Sequence, residues 1–409
     1  MMPLPWSYEQ LRQLVRGERM PLMVVDLDIL EANTHRLARI AQEHGKNLRV
    51  ASKSVRVPEL LKHIAKVGGD HFRGLMCFSI EEARLLRSQG FDDLLIAYPS
   101  VQPADVELLW EMTQGGTVIT HMVDELAHVE MLSQFWREKA GGASVRPLQV
   151  CIDLDMSWRP RGFHLGVQRS PVRTLEDFRR VLDAILQYPE LQMAGVMGYE
   201  AQVAGLGDQN PFAPLLNPAK KWIKRKSVAA VAEKRAAVAR LLKERGVQIA
   251  FFNGGGTGSI RTTTLEPWIT EVTAGSGFLQ SHLFDYYASN QNQPAFCFAL
   301  QITRSSQADH VTCQSGGFIA SGPAHSDKAP VPFLPPGLKP TGGEGYGEVQ
   351  TPLVVPPELR GTLRPGDPVF FRPAKAGEIA ERFNEYLLKR GDRIVGRAKT
   401  YRGLGYCFH

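Results

Sequence analysis

The 409-residue chain has no apolar run long enough to cross a bilayer. Its first residues, Met1-Met2-Pro3-Leu4-Pro5-Trp6, lack the positive stretch and apolar core of a secretory leader, so a cytoplasmic location is the expectation. Cysteine is scarce. The five that occur, Cys77, Cys151, Cys297, Cys313 and Cys407, are odd in number, scattered and never spaced CxxC, which excludes a disulfide framework and a thiolate zinc site and leaves mostly buried thiols. A large excess of one charge is also missing: 48 lysines and arginines face 42 aspartates and glutamates, and the net charge of +6 gives only a mild bias toward anionic ligands. One basic run, Lys220-Lys221-Trp222-Ile223-Lys224-Arg225-Lys226, reads as the solvated entrance of a helix, so neither nucleic acid nor membrane is an expected partner. No GK[ST] ending follows the glycine-rich run near residue 255, which excludes nucleotide hydrolysis of the P-loop kind.

What is there is alternation. From about residue 48 to 277, short apolar runs and amphipathic stretches follow one another as βα units do. Eight candidate strands can be counted, Leu48 to Lys53, Gly74 to Ser79, Leu94 to Pro99, Thr117 to His121, Leu148 to Asp155, Met193 to Tyr199, Val247 to Asn253, and Trp268 to Ala274. Helical patterns lie between them over Pro58 to Val67, Ile80 to Gln89, Asp105 to Thr113, Asp124 to Lys139, Leu175 to Leu186 and Ser227 to Gly246, while the link from Ser259 to Pro267 is too short for a good helix. The fold class predicted is α/β, a (β/α)8 TIM barrel followed by a β-rich domain, with an open doubly wound sheet as the alternative. Residues 20–285 are expected to form the barrel, and residues 286–409 with 1–19 the second domain, because strand-like alternation resumes at Phe296 to Arg304, His310 to Ile319, Val349 to Val355, Val369 to Arg372 and a hairpin from Tyr386 to Arg397. A glycine- and proline-rich connection from Gly322 to Gly347 interrupts it.

Lys53 closes the first run, Leu48-Arg49-Val50-Ala51-Ser52-Lys53, and Asn253-Gly254-Gly255-Gly256-Thr257-Gly258-Ser259 closes the seventh. A lysine at the edge of a buried strand is expected to be desolvated, which lowers an ammonium's pKa and frees the amine to attack an aldehyde. A glycine run lets backbone amides wrap an anion, although Ser259 leaves the GxGxxG pattern incomplete. In a closed barrel the active site lies at the carboxyl ends of the strands, with phosphate held by the loops after strands seven and eight. Strand eight neighbours strand one, so Lys53, the loop from Gly254 to Ser259 and Gly275-Ser276-Gly277 would meet there. A lysine beside a phosphate cradle suggests pyridoxal 5'-phosphate.

These residues, with Pro21-Leu22-Met23-Val24-Val25-Asp26-Leu27-Asp28 and Gly198-Tyr199-Glu200, give a chain that resembles the alanine-racemase-type (fold-type III) pyridoxal-phosphate enzymes, and most of all their D-threonine aldolase and D-serine dehydratase branch. The resemblance implies that Lys53 holds the cofactor as a Schiff base, that Gly255, Gly256 and Thr257 with Gly275 and Ser276 hold its phosphate, and that Tyr199 sits near the pyridine nitrogen. It also implies an arginine near the cofactor phenolate just after strand five. His164 aligns with that position, whereas Arg159 or Arg161 reaches it from a longer loop. Glu200 and Gln202 are either supports of the site or plain strand-end residues.

Members of this branch offer a His-x-Cys pair that binds a divalent metal, but at the expected place this chain reads Phe371-Arg372-Pro373-Ala374-Lys375-Ala376-Gly377-Glu378. A metal is therefore not assigned, although His325, Asp327, Glu344 and Glu348 would suit a hard cation and Cys407-Phe408-His409 reverses the usual spacing. Without a metal, Lys375, Glu378 or Tyr346 would supply the acid or base. The resemblance implies a small D-3-hydroxy amino acid as substrate, cleaved by retro-aldol reaction or dehydrated, in a homodimer. The alternatives are a racemase with Tyr346 as second base from a partner subunit, a non-catalytic cofactor-binding protein, and a sugar- or nucleotide-phosphate barrel enzyme, which would leave Lys53 unexplained.

Overall fold

The computed structural model describes residues 6–289, 291–323 and 326–408. His325 and His409 lie outside the described residues. Helix α1 (Tyr8–Leu14), strand β1 (Leu22–Asp26) and helix α2 (Leu27–Gln42) open the chain. Eight strands then pair in parallel in chain order, β2 (Asn47–Ala51), β3 (Phe72–Cys77), β4 (Leu94–Ile96), β5 (Ile119–Val123), β6 (Leu148–Asp153), β7 (Leu191–Gly198), β8 (Phe251–Gly254) and β9 (Glu271–Ala274). β9 pairs with β2, so the barrel is closed. Each of the eight runs anticipated from the sequence supplies one barrel strand.

The connecting helices are α3 (Pro58–Gly68), α4 (Ile80–Ser88), α5 (Pro103–Gln114), α6 (Leu126–Ala140), α7 (Leu175–Gln187), the short α8 (Ala201–Ala204), the long α9 (Asn217–Glu244), and the single turns α10 (Ile260–Thr263) and α11 (Ser276–Leu279). Local chemistry sets their starts. Pro58 and Pro103 stand in first turns, where a missing N–H costs nothing, Ser79 accepts from the Glu82 N–H, and Thr174 with Asp177 forms a capping box on α7. Helix α7 buries Phe178, Val181, Leu182 and Ile185, a single face at helical spacing. Helix α9 begins at Asn217, ten residues before the predicted Ser227, because Pro218 starts it and the basic run continues it without any apolar period to betray a helix.

Polar groups fill part of the barrel interior. The fully buried Arg49 of β2 pairs with Glu271 of β9 at 2.7 Å and with Asp93 at 2.9 Å, and Asn253 donates to Glu271 at 2.6 Å. Gly74, at φ +54, lies so near that an added Cβ would stand 1.9 Å from the Asp93 carbonyl, which makes glycine obligatory there.

The second domain is a nine-stranded sheet. Its strands are β10 (Phe296–Gln307), β11 (His310–Gln314), β12 (Val331–Leu334), β13 (Lys339–Pro340), β14 (Gln350–Val354), β15 (Pro368–Arg372), β16 (Glu385–Arg390) and β17 (Arg393–Lys399), together with β1. β1 is a finding, because residues 22–26 lie in the stretch assigned on sequence to the barrel, yet pair antiparallel with β10 and parallel with β16. All five of its residues are buried, so its apolar run carries no sign of which sheet claims it. The connection from Gly322 to Gly347 also holds β12 and β13, whose prolines and short length hide them from period-two reading. Asp26 ties the halves together by capping α2, accepting from Trp6 Nε1 at 2.8 Å and pairing with Lys389. Among the described residues no helix is long and apolar enough to cross a membrane.

Candidate active site

At the carboxyl ends of the barrel strands lies a cavity of about 510 Å³. Lys53 enters it from a single 3₁₀ turn, Ser52–Ser54, directly after β2, and its Nζ donates to Tyr98 Oη at 2.5 Å while standing 5.2 Å from the centre of that ring. The side chain is exposed toward the cavity. The desolvation expected for it is therefore not found, because the strand ends two residues earlier, at Ala51, and the lysine leans over an open mouth. The turn is held from behind by Arg56, whose Nε donates to the Lys53 carbonyl at 3.1 Å and whose guanidinium pairs with Glu381 at 2.7 Å. Gly377 lies against the same carbonyl, where an added Cβ would come within 1.7 Å. The second domain thus touches the backbone of the lysine itself.

The two glycine loops line this cavity as well. Gly255, Gly256 and Thr257 follow β8, and Gly275 and Ser276 follow β9. Gly277 N–H donates to Thr257 Oγ1 at 2.9 Å, joining one loop to the other. Side chains are excluded here by space: a Cβ on Gly275 would fall 2.5 Å from Ser54 Oγ, and one on Gly256 would fall 2.9 Å from the Ala204 Cβ. Gly255, at φ +88, donates to Glu200 at 3.1 Å.

Glu200 proves to be a support of the site. It is 2% exposed, pairs with the fully buried Arg235, and accepts from Ser259 Oγ at 2.6 Å and Thr263 Oγ1 at 2.5 Å. Burial alone would raise its carboxyl, but Arg235 and the two hydroxyls outweigh that and hold it below the ordinary value. Arg235, on α9, also donates to the Gly198 carbonyl at 2.5 Å and pairs with Glu266 at 2.5 Å. Sequence reading missed it, since one arginine in a basic helix gives no signal. Gln202 donates to the Met156 carbonyl at 2.6 Å, a loop contact.

Three further groups define the chemistry of the wall. Tyr199 directly follows β7, and burial, with the Glu200 charge adding, pushes its phenol up to about 12, so it stays protonated. Asp153 ends β6 and is surrounded by protein except where the cavity reaches it; burial, reinforced by Asp124 and opposed by Arg169, raises its carboxyl to about 7. Arg169 also lines the cavity and makes no ion pair among the described residues. It is the arginine of this loop that lines the cavity, where the sequence suggested His164, Arg159 or Arg161. None of those three lines the cavity: Arg159 is exposed near Asp155, Arg161 is exposed, and both ring nitrogens of His164 are buried without a partner among the described residues. The loop turns inward only from Val167 on, so that Arg169, five residues past His164, reaches the wall, a path no local pattern announces.

Tyr346 is likewise displaced. Its ring packs edge-on against Phe371 at 6.4 Å inside the second domain and lines neither large cavity, so within one chain it does not reach Lys53. Lys375 is better placed. It lines a second chamber that shares Lys53, Ser54, Tyr199, Ser276 and Phe284 with the first, and its Nζ pairs with Glu378 at 2.7 Å and donates to Ser321 Oγ at 2.8 Å.

Among the described residues, the members of the metal sites weighed on sequence do not come together. Asp327 pairs with Lys328 at 3.0 Å, Glu344 and Glu348 are exposed, and these three do not converge. Among the described residues one group does converge, Asp124, Glu125 and His128, with ligand atoms within 4.8 Å of one another, but it stands at the end of β5 rather than after β15. Where the resemblance leads one to expect a His-x-Cys pair there is instead an ammonium held between a hydroxyl and a carboxylate, so the residues there do not fit a divalent cation. Cys407 is exposed and the other four cysteines are buried.

Comparison with known proteins agrees with this geometry. The family described as "Alanine racemase, N-terminal domain" matches residues 25–278. The 3-hydroxy-D-aspartate aldolase of Paracoccus denitrificans (strain Pd 1222) is 25% identical over 256 residues, which span 63% of this chain and 59% of that protein's length. The D-threonine aldolase of an Arthrobacter species is 27% identical over 352 residues, 84% of this chain and 83% of that one. Among solved structures, D-threonine aldolase from Filomicrobium marinum superposes with a TM-score of 0.79 at 19% identity, covering 95% and 96% of the two chains, and so shares the fold.

Proposed function

The chain belongs to the alanine racemase N-terminal domain family, and from that premise we propose that it is a pyridoxal-phosphate-dependent lyase acting on a small D-3-hydroxy amino acid. One observation carries the reading. Lys53 Nζ projects into the same cavity that both glycine loops line, at the mouth of a closed barrel. The residues present fit the cofactor: Lys53 would hold it covalently, Gly255, Gly256, Thr257, Gly275 and Ser276 would hold its phosphate, Tyr199 would face the ring nitrogen, and Arg169 would take the phenolate side. Loops whose glycines leave no room for a Cβ allow the backbone approach that a phosphate needs. When bound, the group supplies an electron sink for the charge released at the substrate's Cα.

The rest falls to the chain's own side chains. Tyr199, protonated at neutral pH, offers a neutral partner to the ring nitrogen. In dehydration the Lys53 amine would be the base at Cα, and Tyr98 Oη at 2.5 Å orients it. Lys375, steadied by Ser321 and Glu378, faces the shared chamber and would be the acid at the leaving 3-hydroxyl in dehydration, a role worth about 10²–10⁴-fold, whereas in cleavage Glu378 would take the 3-hydroxyl proton and Lys53 would return one at Cα. No step passes through a metal. Cleavage and dehydration differ in whether the hydroxyl loses its proton or leaves with one, and the two relatives at 25% and 27% identity are both named aldolases. A racemase would need a second base facing Lys53, and Tyr346 does not supply it within the chain. A homodimer is part of the proposal.

The test is a visible absorbance spectrum of the purified protein with pyridoxal phosphate, in wild type and Lys53→Ala, followed by product analysis with D-threonine, D-serine and D-alanine. A band present only in the wild type, with acetaldehyde plus glycine or ammonia plus an oxoacid as products, is expected. Inversion alone would replace the lyase by a racemase, and the absence of any band would remove the cofactor reading.

A further inference from the structure

Arg56 stands three residues beyond Lys53 with its backbone at φ +54. A residue with a Cβ is strained in that left-handed region and stays there only where its surroundings over-determine it. Here four bonds do so. Two belong to the lysine turn: the Arg56 N–H donates to the Ser52 carbonyl at 3.0 Å, and Nε to the Lys53 carbonyl at 3.1 Å. The other two come from the second domain, where the Tyr401 N–H donates to the Arg56 carbonyl at 3.0 Å and Glu381 pairs with the guanidinium at 2.7 Å. Tyr401 is fixed at its far end as well. Fully buried, it donates from Oη to Glu82 at 2.7 Å, and that equally buried carboxyl, in the first turn of α4, accepts from the Phe78 N–H at 2.7 Å. The Arg56 guanidinium covers the same Phe78, 4.9 Å from its ring centre. None of Arg56, Glu381 and Tyr401 lines the cavity that Lys53 enters, so any effect they have on the amine passes through the turn.

We propose that Glu381 and Tyr401, both carried by the second domain, are positioning residues for Lys53: through Arg56 they fix the line along which its amine meets the cofactor's aldehyde. The proposal rests on the reading that Lys53 holds pyridoxal phosphate. In that attachment the nitrogen of the neutral amine forms a double bond to the aldehyde carbon, and its two hydrogens leave with the aldehyde oxygen as water. The reaction depends on the direction of approach, whereas binding of the cofactor's phosphate by the loops after β8 and β9 does not involve Nζ. A turn released from its clamp would therefore keep the phosphate site and misdirect the amine. Arg56→Gly separates the two halves of the clamp, because glycine adopts the positive φ without strain and keeps the carbonyl that Tyr401 holds, yet loses the links to Glu381 and to the Lys53 carbonyl.

The experiment compares two ligands on the full chain. Pyridoxal phosphate at saturation reports the rate at which the Lys53 band appears, and pyridoxine 5'-phosphate, which has an alcohol in place of the aldehyde and cannot attach, reports binding alone by calorimetry. Since a reacting group misplaced by about 1 Å costs on the order of 10²-fold, the band should appear about tenfold or more slowly in Arg56→Gly and several-fold more slowly in Glu381→Gln and Tyr401→Phe, with the pyridoxine phosphate dissociation constant held within about twofold. Glu381 acts through the guanidinium, so Glu381→Gln should slow Arg56→Gly no further, whereas Tyr401→Phe, which acts through the carbonyl, should. A parallel loss of affinity for pyridoxine phosphate would reduce the clamp to a structural role, and unchanged rates, or a further slowing of Arg56→Gly by Glu381→Gln, would overturn the proposal. Glu381→Gln keeps the size of a side chain that is 22% exposed, so it decides the matter alone if Arg56→Gly does not fold. If the wild-type band forms and the variants match it, this inference alone fails; if no band forms in the wild type, it falls together with the cofactor reading.

Discussion

Asp153 stands at the end of β6 with its carboxyl in the cavity wall, raised to about 7 mainly because burial disfavours its charge and partly because Asp124 lies near. The folded protein therefore keeps this proton between the ordinary 3.8 and about 7, a range in which the unfolded chain has already released it. Stability from the neutral form is present at low pH and lost as pH rises through that window. Asp153→Asn cannot ionise, so urea midpoints at about pH 4.5 and about pH 7.5 should show the wild type losing ground to the variant at the higher pH; parallel behaviour would mean that Asp153 is charged throughout. This residue was not legible in the sequence. Asp-x-Asp after a strand looks like any polar strand end, and its character comes from walls that meet only in three dimensions. Lys53 was legible because an apolar run and a lysine are neighbours in sequence, but its exposure was not, since that depends on where β2 stops. Arg169 went unread for a related reason: His164, Arg159 and Arg161 are nearer the landmark in sequence, and only the path of the loop brings Arg169 inward.

At the scale of elements, the glycine loop after β8 depends on a partner it does not contain. Arg235 reaches from the inner face of α9 to Glu200, Glu266 and the Gly198 carbonyl, and Glu200 in turn accepts from Gly255, Ser259 and Thr263. Arg235→Met would leave Glu200 buried without its counter-charge, at a cost of about 3–5 kcal/mol in a denaturation midpoint, and should weaken pyridoxal phosphate binding at the same time. An unaltered cofactor dissociation constant in a folded Arg235→Met protein would show that the loop holds its shape unaided. Gly275→Ala tests the other glycine loop by crowding. Its Cβ would meet Ser54 at 2.5 Å, so a loss of about 1–3 kcal/mol and weaker cofactor binding are expected, whereas Gly361→Ala, with no neighbour within 4 Å, reports only the strain of its positive φ. Helix existence was readable from period and caps in α3 to α7, while the first ten residues of α9 were not, because a polar, basic run has no apolar face to display.

Taken as a whole molecule, the protein is a closed parallel barrel whose β-rich partner borrows a strand from the barrel's own N-terminal lead. β1 has β10 on one side and β16 on the other, so a fragment ending at residue 289 would expose both edges of an entirely buried strand. Such a fragment is expected to be insoluble or to aggregate, as size-exclusion chromatography would show; a monomeric, cooperatively melting fragment would contradict the shared sheet. The barrel itself was plain in the sequence because eight runs alternated with helices, and the second domain because alternation changed period. The ownership of β1 was hidden, since a five-residue buried run suits either sheet. Lys375, Ser321 and Glu378 fill the place of the expected metal ligands, so prolonged chelation should leave turnover unchanged, and restoration of lost activity by a divalent cation would refute that assignment.

All of these consequences hang on one covalent attachment. Borohydride reduction of the protein incubated with pyridoxal phosphate, followed by digestion and mass spectrometry, locates it directly. The expected result is one cofactor mass increment on the peptide that contains Lys53, absent in Lys53→Ala; an increment on another lysine, or none at all in the wild type, would contradict the account.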